Sequence, residues 1–207
     1  MIKTLTALLL WCSLSPLTLA QAEPFTILFL GDSLTEGYGL EDGESFPSLI
    51  ANRFKAQGRT DIRIINGGVS GSTSASAPGR LQWFVRSRPD LMILSLGAND
   101  GLRGLAVTEM EANLVRTIEL AQDNGIKVAL TGMLIPPNYG PEYTQAFAEV
   151  FPRLAGRYDL PFLPFLLIDV AAIPELNQND GIHPNVEGAK LVANTVWDFL
   201  QPLLPAQ

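Results

Sequence analysis

Four short apolar runs, each ending at glycine or asparagine, constrain this chain more than any other feature. They are Phe25 to Leu30 before Gly31, Ile62 to Ile65 before Asn66, Leu91 to Leu96 before Gly97, and Lys127 to Thr131 before Gly132. The runs are largely continuous rather than alternating. That pattern suits strands covered on both faces, as in a parallel sheet. Helical patterns lie between and after them. Phe46 to Gln57 follows Ser45 and stops at Gly58; Gly79 to Arg88 precedes Pro89. Thr108 to Asn124 has Thr108 as an expected N-cap, Glu111 three residues on, and Gly125 as a stop. Pro141 to Arg157 contains Pro152, which is expected to kink or split it. Asn185 to Leu200 closes the series, with Glu187 near its positive end and Pro202 after it.

Strands alternating with helices predict a single-domain, three-layer α/β/α sandwich with right-handed crossovers. Ligands of such folds bind beyond the carboxyl ends of the strands. The residues falling there are Gly31 to Ser33, Asn66 to Ser74, Gly97 to Asp100, Gly132 to Gly140, and the Asp180 to Asn185 loop. No repeat, linker or low-complexity tract interrupts the chain.

The N-terminus predicts export. Lys3 is the only charge in the first 22 residues, and an apolar stretch from Leu5 to Leu14 leads to Ala20-Gln21-Ala22. A basic start, a short apolar core and small residues at −3 and −1 read as a secretory signal peptide over 1–22. A cut after Ala20 is the alternative, with Thr18 at −3. The run is too short and poorly flanked for a stable membrane span. The expected domain is then 23–207, periplasmic or secreted and without a stable membrane anchor. Cys12 is removed with the leader, so the mature chain has no disulfide and relies on packing. Its net charge is −8, from 13 basic and 21 acidic side chains. An acidic surface disfavours nucleic acid and anionic membranes as partners.

His183 is the only histidine. With no mature cysteine, only a carboxylate metal site could form, and neither a Walker motif nor a dinucleotide fingerprint is present, so no cofactor is expected. Ser33 sits in Gly31-Asp32-Ser33-Leu34, directly after a strand, where its Oγ would be exposed at the sheet edge. Alone, that block reads as an ordinary strand-to-loop turn. Asp180 lies three residues before His183, a spacing that lets its carboxylate reach Nδ1 and leaves Nε2 outward. Such an acid fixes the tautomer and stabilises the imidazolium formed after proton transfer. Asp180 could also be a plain turn former before Gly181. Acyl transfer further needs donors for the carbonyl oxyanion. The N–H of Gly71, the amide of Asn99 and the N–H of Ser33 could supply them. Gly71 and Asn99 could instead serve only loop geometry. Asp32 and Asp100 are expected to organise loops through backbone N–H groups.

Taken in order, Ser33, Gly71, Asn99 and Asp180-x-x-His183 resemble the blocks of the SGNH, or GDSL, hydrolases, and the resemblance covers the chain from Phe25 to the last helix. It implies a flavodoxin-like parallel sheet of about five strands. It also implies Ser33 as nucleophile, His183 as base and acid, Asp180 as orienter, and Ser33, Gly71 and Asn99 as the oxyanion hole. Gly97-Ala98-Asn99-Asp100-Gly101-Leu102-Arg103-Gly104 and Pro136-Pro137-Asn138-Tyr139-Gly140 are similar to the bacterial periplasmic thioesterase I / lysophospholipase / arylesterase branch. Two positions depart from that pattern. Ala98 stands where a second glycine is usual, which negative φ would tolerate, and Ser72 stands where an aspartate is frequent.

The resemblance places the acyl chain under Leu134, Ile135, Pro136, Pro137, Asn138 and Tyr139. Those residues could equally form a proline-rich loop packed on the core. Apolar lining favours acyl groups over sugars or phosphates. The expectation is a monomeric serine esterase acting on short to medium acyl esters and thioesters, with lysophospholipids as further substrates. The rivals are a carbohydrate O-acetylesterase of the same fold and a non-catalytic periplasmic binding protein.

Overall fold

The structure, a computed structural model, describes residues 23–205. The expected signal peptide, 1–22, lies outside them. Five parallel strands form one sheet: β1 (Phe25–Gly31), β2 (Ile62–Gly68), β3 (Leu91–Ser95), β4 (Lys127–Thr131) and β5 (Phe162–Leu163), in the order β2-β1-β3-β4-β5. Apart from the first residues of β1 and β4, Phe25 and Lys127, the central strands are buried, which is why their sequences are near-continuous apolar runs.

Helices cover both faces. In chain order they are α1 (Ser33–Glu36), α2 (Phe46–Ala56), α3 (Ala77–Phe84), α4 (Ala98–Leu102), α5 (Val107–Asp123), α6 (Pro141–Tyr158) and α7 (Val186–Leu200). Helix α2 packs on α7, with the rings of Phe54 and Trp197 4.5 Å apart. Helix α5 packs between α3 and α6 in the other layer. Ile27, Leu28, Phe29, Leu30, Ile93 and Leu94 form the buried middle, and none of them is exposed. Burial of such side chains contributes roughly 1.5–3 kcal/mol each before the entropy of ordering is subtracted.

Several local expectations need correction. Helix α3 begins at Ala77 rather than Gly79, because Pro78 is already compatible with a first turn; it gives way to a 3-10 turn over Val85–Ser87. Helix α5 starts at Val107 with Ala106 at the N-cap and no side-chain cap. The expected capping partner, Glu111, is engaged elsewhere: both of its oxygens accept from Arg153 of α6, at 3.0 and 2.8 Å. Helix α6 runs unbroken through Pro152. That proline is exposed, so the carbonyl it leaves without a helical partner is on the flank open to water. The resemblance implied a fifth strand that no apolar run had marked. It is two residues long and lies between Pro161 and Pro164, which obscure it.

The register aligns the site. Gly31 pairs with Gly68 on one side and with Ser95 on the other. The chain therefore leaves β1, β2 and β3 at one level of the carboxyl edge. Strand order reverses between β1 and β3, so the crevice of this fold opens there.

Candidate active site

Ser33 opens α1 directly after β1. Asp32 caps that short helix, its Oδ1 accepting from Leu34 N–H at 3.1 Å. His183 arrives from the opposite end of the chain, on the loop before α7. That helix is capped by Asn185, whose Oδ1 accepts from the N–H groups of Glu187 and Gly188 at 3.0 and 3.1 Å. The Asn185 amide also donates to Glu175 O at 2.8 Å. Helix start and loop are thus tied together.

The structure brings Ser33, His183 and Asp180 into one line. His183 Nε2 lies 2.9 Å from Ser33 Oγ, and Nδ1 lies 2.6 Å from Asp180 Oδ2. The other oxygen of Asp180 accepts from the N–H groups of Ile182 and His183 at 2.9 and 3.0 Å. Desolvation pushes the Asp180 pKa up, but the bonds from the His183 and Ile182 N–H groups and from the ring outweigh it and hold the carboxyl at about 2. Ionised Asp180 can only accept, so Nδ1 carries the proton and Nε2 presents its lone pair to the Ser33 hydroxyl. This arrangement can take a proton from Oγ and return it.

Three donors border the same space. Ser33, Gly71, Asn99 and His183 line one cavity of about 270 Å³, together with Asp32, Leu34, Tyr38, Ser70, Ala98, Leu102 and Ile182. Among the described residues no acceptor meets the N–H of Ser33 or of Gly71. Gly71 has φ +75°, where a side chain would be strained; space is not the reason, since an added Cβ would meet only Arg103 Nη2, at 3.5 Å. Asn99 lies in α4, and Ala98 beside it adopts no positive φ, so that departure from the family pattern is accommodated. Gly97 takes the positive φ instead, +120°.

Asp32 and Asp100 do not compete for the histidine ring. Asp100 accepts from the N–H and Oγ of Ser74, at 2.8 and 2.6 Å, anchoring the segment after the Gly71 loop. Asp32 is buried, and desolvation raises its pKa to about 6 against the lowering effects of the Leu34 N–H, the His183 charge and Arg80. Among the described residues its Oδ2 has no hydrogen-bond partner.

The six residues expected over the acyl chain are placed differently. None of Leu134, Ile135, Pro136, Pro137, Asn138 and Tyr139 lines the 270 Å³ cavity or the small recess of about 10 Å³ behind Ser33. They form a second tier behind α4. Tyr139 donates to Leu102 O at 2.7 Å, Ile135 lies against Gly101, and Leu134 is exposed. Leu102, which they support, is the residue that reaches the cavity. Sequence reasoning also passed over three neighbours. The Tyr38 ring lies 4.7 Å from the His183 ring. Glu36 accepts from Ser70 N–H at 2.8 Å and from Ser70 Oγ, and Arg103 Nη2 donates to Gly71 O at 2.8 Å. Their one signal was position, since each lies within five residues of Ser33 or Asn99.

Among the described residues no three of His, Cys, Asp or Glu are grouped to hold a metal, and no helix is long and apolar enough to cross a membrane. A larger polar depression of about 700 Å³ lies at the amino ends of β1 and β3, by Arg63, Arg86 and Arg88, away from Ser33.

Comparison with known proteins agrees with the fold and with the family resemblance. Residues 29–191 match the GDSL-like lipase/acylhydrolase family. Esterase TesA of Pseudomonas aeruginosa is 36% identical over 198 residues, covering 95% of this chain and 98% of its own. Thioesterase 1/protease 1/lysophospholipase L1 of Escherichia coli is 34% identical over 189 residues, covering 91% and 89%. A crystal structure of TesA superposes with a TM-score of 0.82 at 37% identity, covering 86% of this chain and 99% of that one.

Proposed function

The chain belongs to the GDSL-like lipase/acylhydrolase family, and from that premise we propose that it is a serine esterase working through Ser33, His183 and Asp180. It is a carboxylic ester hydrolase, with esters and thioesters as substrates. The observation that carries the residue roles is the 2.9 Å contact between His183 Nε2 and Ser33 Oγ, continued at 2.6 Å to Asp180. It joins groups 150 residues apart in the geometry that base catalysis requires.

The reaction is then as follows. Ser33 Oγ gives its proton to His183 Nε2 and bonds to the carbonyl carbon. The developing oxyanion accepts from the N–H groups of Ser33 and Gly71 and the amide of Asn99. The carbon–oxygen or carbon–sulfur bond to the leaving group breaks, and the imidazolium protonates that group. Water then gives a proton to His183 as it adds to the acyl-enzyme. The Ser33 ester bond breaks, Oγ takes the proton back, and the acid leaves. Asp180 stays ionised throughout.

The cavity wall of Leu34, Tyr38, Ala98, Leu102 and Ile182 supports short to medium acyl groups over charged or sugar groups. The reading extends to lysophospholipids, because their single acyl chain is the kind of group an apolar wall takes. We place the working domain at 23–207, in the periplasm or outside the cell, after cleavage of the leader near Ala22. The first test is Ser33→Ala. It should abolish p-nitrophenyl butyrate hydrolysis and fluorophosphonate labelling without altering the fold. Hydrolysis near the wild-type rate would overturn the assignment.

A further inference from the structure

Two parts of the chain must hold register for this site to work. One is the segment after β1 that carries Ser33, and the other is the loop before α7 that carries His183. The Ser33–His183 bond cannot maintain that register through the cycle. Once Oγ is esterified it has no proton to donate, and the bond is lost when His183 must still aim a water at the acyl carbon.

Gln178 supplies a tie that does not pass through the serine. Its Nε2 donates across 140 residues to Tyr38 O at 2.7 Å, and to Pro184 O at 3.0 Å. Its backbone N–H donates to His183 O at 2.7 Å, and its carbonyl accepts from Gly181 N–H at 2.9 Å. One residue therefore holds both flanks of the histidine loop and fastens them to the serine segment. The serine segment is shaped to receive it. Gly39 has φ +74°, and a Cβ there would lie 2.2 Å from Gln178 Oε1. The Tyr38 ring, carried on the carbonyl that Gln178 grips, rests against the His183 ring at 4.7 Å.

We propose that Gln178 is a positioning residue that keeps His183 aligned with the reacting centre while Ser33 is acylated. It touches neither substrate nor Ser33 and acts through the two loops. The proposal rests on the serine-esterase reading. It predicts an uneven effect on the two half-reactions. Acylation starts with the Ser33–His183 bond intact and should be nearly indifferent to Gln178. Deacylation relies on the amide tie.

The test is pre-steady-state hydrolysis of p-nitrophenyl butyrate by Gln178→Met, which keeps the volume without an N–H, and by Gln178→Glu, which keeps the shape but only accepts. Steady-state kcat should fall about tenfold or more, since small misalignments of catalytic groups carry losses of that order. A p-nitrophenol burst of about one equivalent per active site should precede the slow phase, marking acyl-enzyme accumulation. Fluorophosphonate labelling should stay within about threefold of wild type, since it needs only the first nucleophilic step. Unchanged kcat in both variants would overturn the proposal. So would a proportional fall of kcat and labelling, or failure of both variants to fold, because each describes a general structural residue. Absence of Ser33 labelling in the wild type would instead sink the esterase reading.

Discussion

At the scale of single residues, Asn99 offers the cleanest separation of chemistry from stability. It is half-buried and lines the cavity. Asn99→Ala should lower kcat by about 10²- to 10³-fold, the usual loss for one oxyanion donor, with KM and Tm little changed. Steady-state kinetics beside a thermal melt would check this, and a Tm loss matching the activity loss would assign Asn99 to structure instead. Arg103→Ala would act one step further out. Its guanidinium holds Gly71 O at 2.8 Å, so the Gly71 N–H should lose its aim, and kcat should fall by less than in Asn99→Ala. The residues legible from sequence were those proposed to carry the reaction: Ser33, Gly71, Asn99, Asp180 and His183 occur in short ordered blocks, and the fold brings all but Asp180 to one cavity edge, with Asp180 bonded to the His183 ring. Those that hold them, Glu36, Tyr38, Arg103 and Gln178, act through backbone carbonyls and N–H groups. Such a contact sets no residue spacing, so for Glu36, Tyr38 and Arg103 only nearness to Ser33 or Asn99 in the chain hints at it.

At the scale of elements, legibility followed hydrophobic period and failed at boundaries. Strands β1, β3 and β4 stood out because central parallel strands bury both faces; β2, at the sheet edge and only partly buried, stood out through Ile62, Ile64 and Ile65, whereas β5 is too short to make a period and is flanked by prolines. The start of α5 was misread because Thr108 and Glu111 fit a capping box locally, while tertiary structure gave Glu111 to Arg153. Pro152 was expected to interrupt α6, and the helix absorbs it on an exposed flank. The same observation predicts a stabilising change. Pro152→Ala restores an N–H to the helical ladder and removes the ring from beside the Ala148 carbonyl, effects worth about 3 kcal/mol in a helix interior. Loss of proline's restriction of the unfolded chain returns about 0.4–1 kcal/mol of that. A net gain of roughly 1–2 kcal/mol remains once local relaxation around the native proline is allowed for, or a few degrees in Tm for a domain of this size. Denaturant melts should register it with esterase activity unchanged. A drop in Tm would mean that Pro152 itself contributes to the packing of Phe151 and Leu154.

At the scale of the whole molecule, two aspartates of the site pull folding stability in opposite directions as pH changes. Asp180 titrates at about 2 in the fold against an ordinary 3.8, so its contribution is complete above pH 3.8 and is lost as pH falls towards 2. Asp32 titrates at about 6 against 3.8, chiefly because burial disfavours its charge. Folding therefore favours its protonated form, and ionisation begins to destabilise the fold above pH 3.8, with the full penalty reached above 6. Two pKa units amount to about 3 kcal/mol, an upper bound for this group. Asp32→Asn keeps an oxygen for the Leu34 N–H and removes the charge. The variant should be as stable as wild type near pH 4 and more stable by up to about 3 kcal/mol at pH 7, with the gap opening between those values. Urea unfolding at pH 4, 5, 6 and 7 reads this directly, and a gap independent of pH would refute it. The charge has a counterpart use. Asp32 and His183 attract one another, so an ionised Asp32 supports the imidazolium formed when Ser33 gives up its proton. Asp32→Asn should accordingly gain stability at pH 7 while losing kcat/KM there, the exchange expected where a buried charge is retained for chemistry rather than for folding.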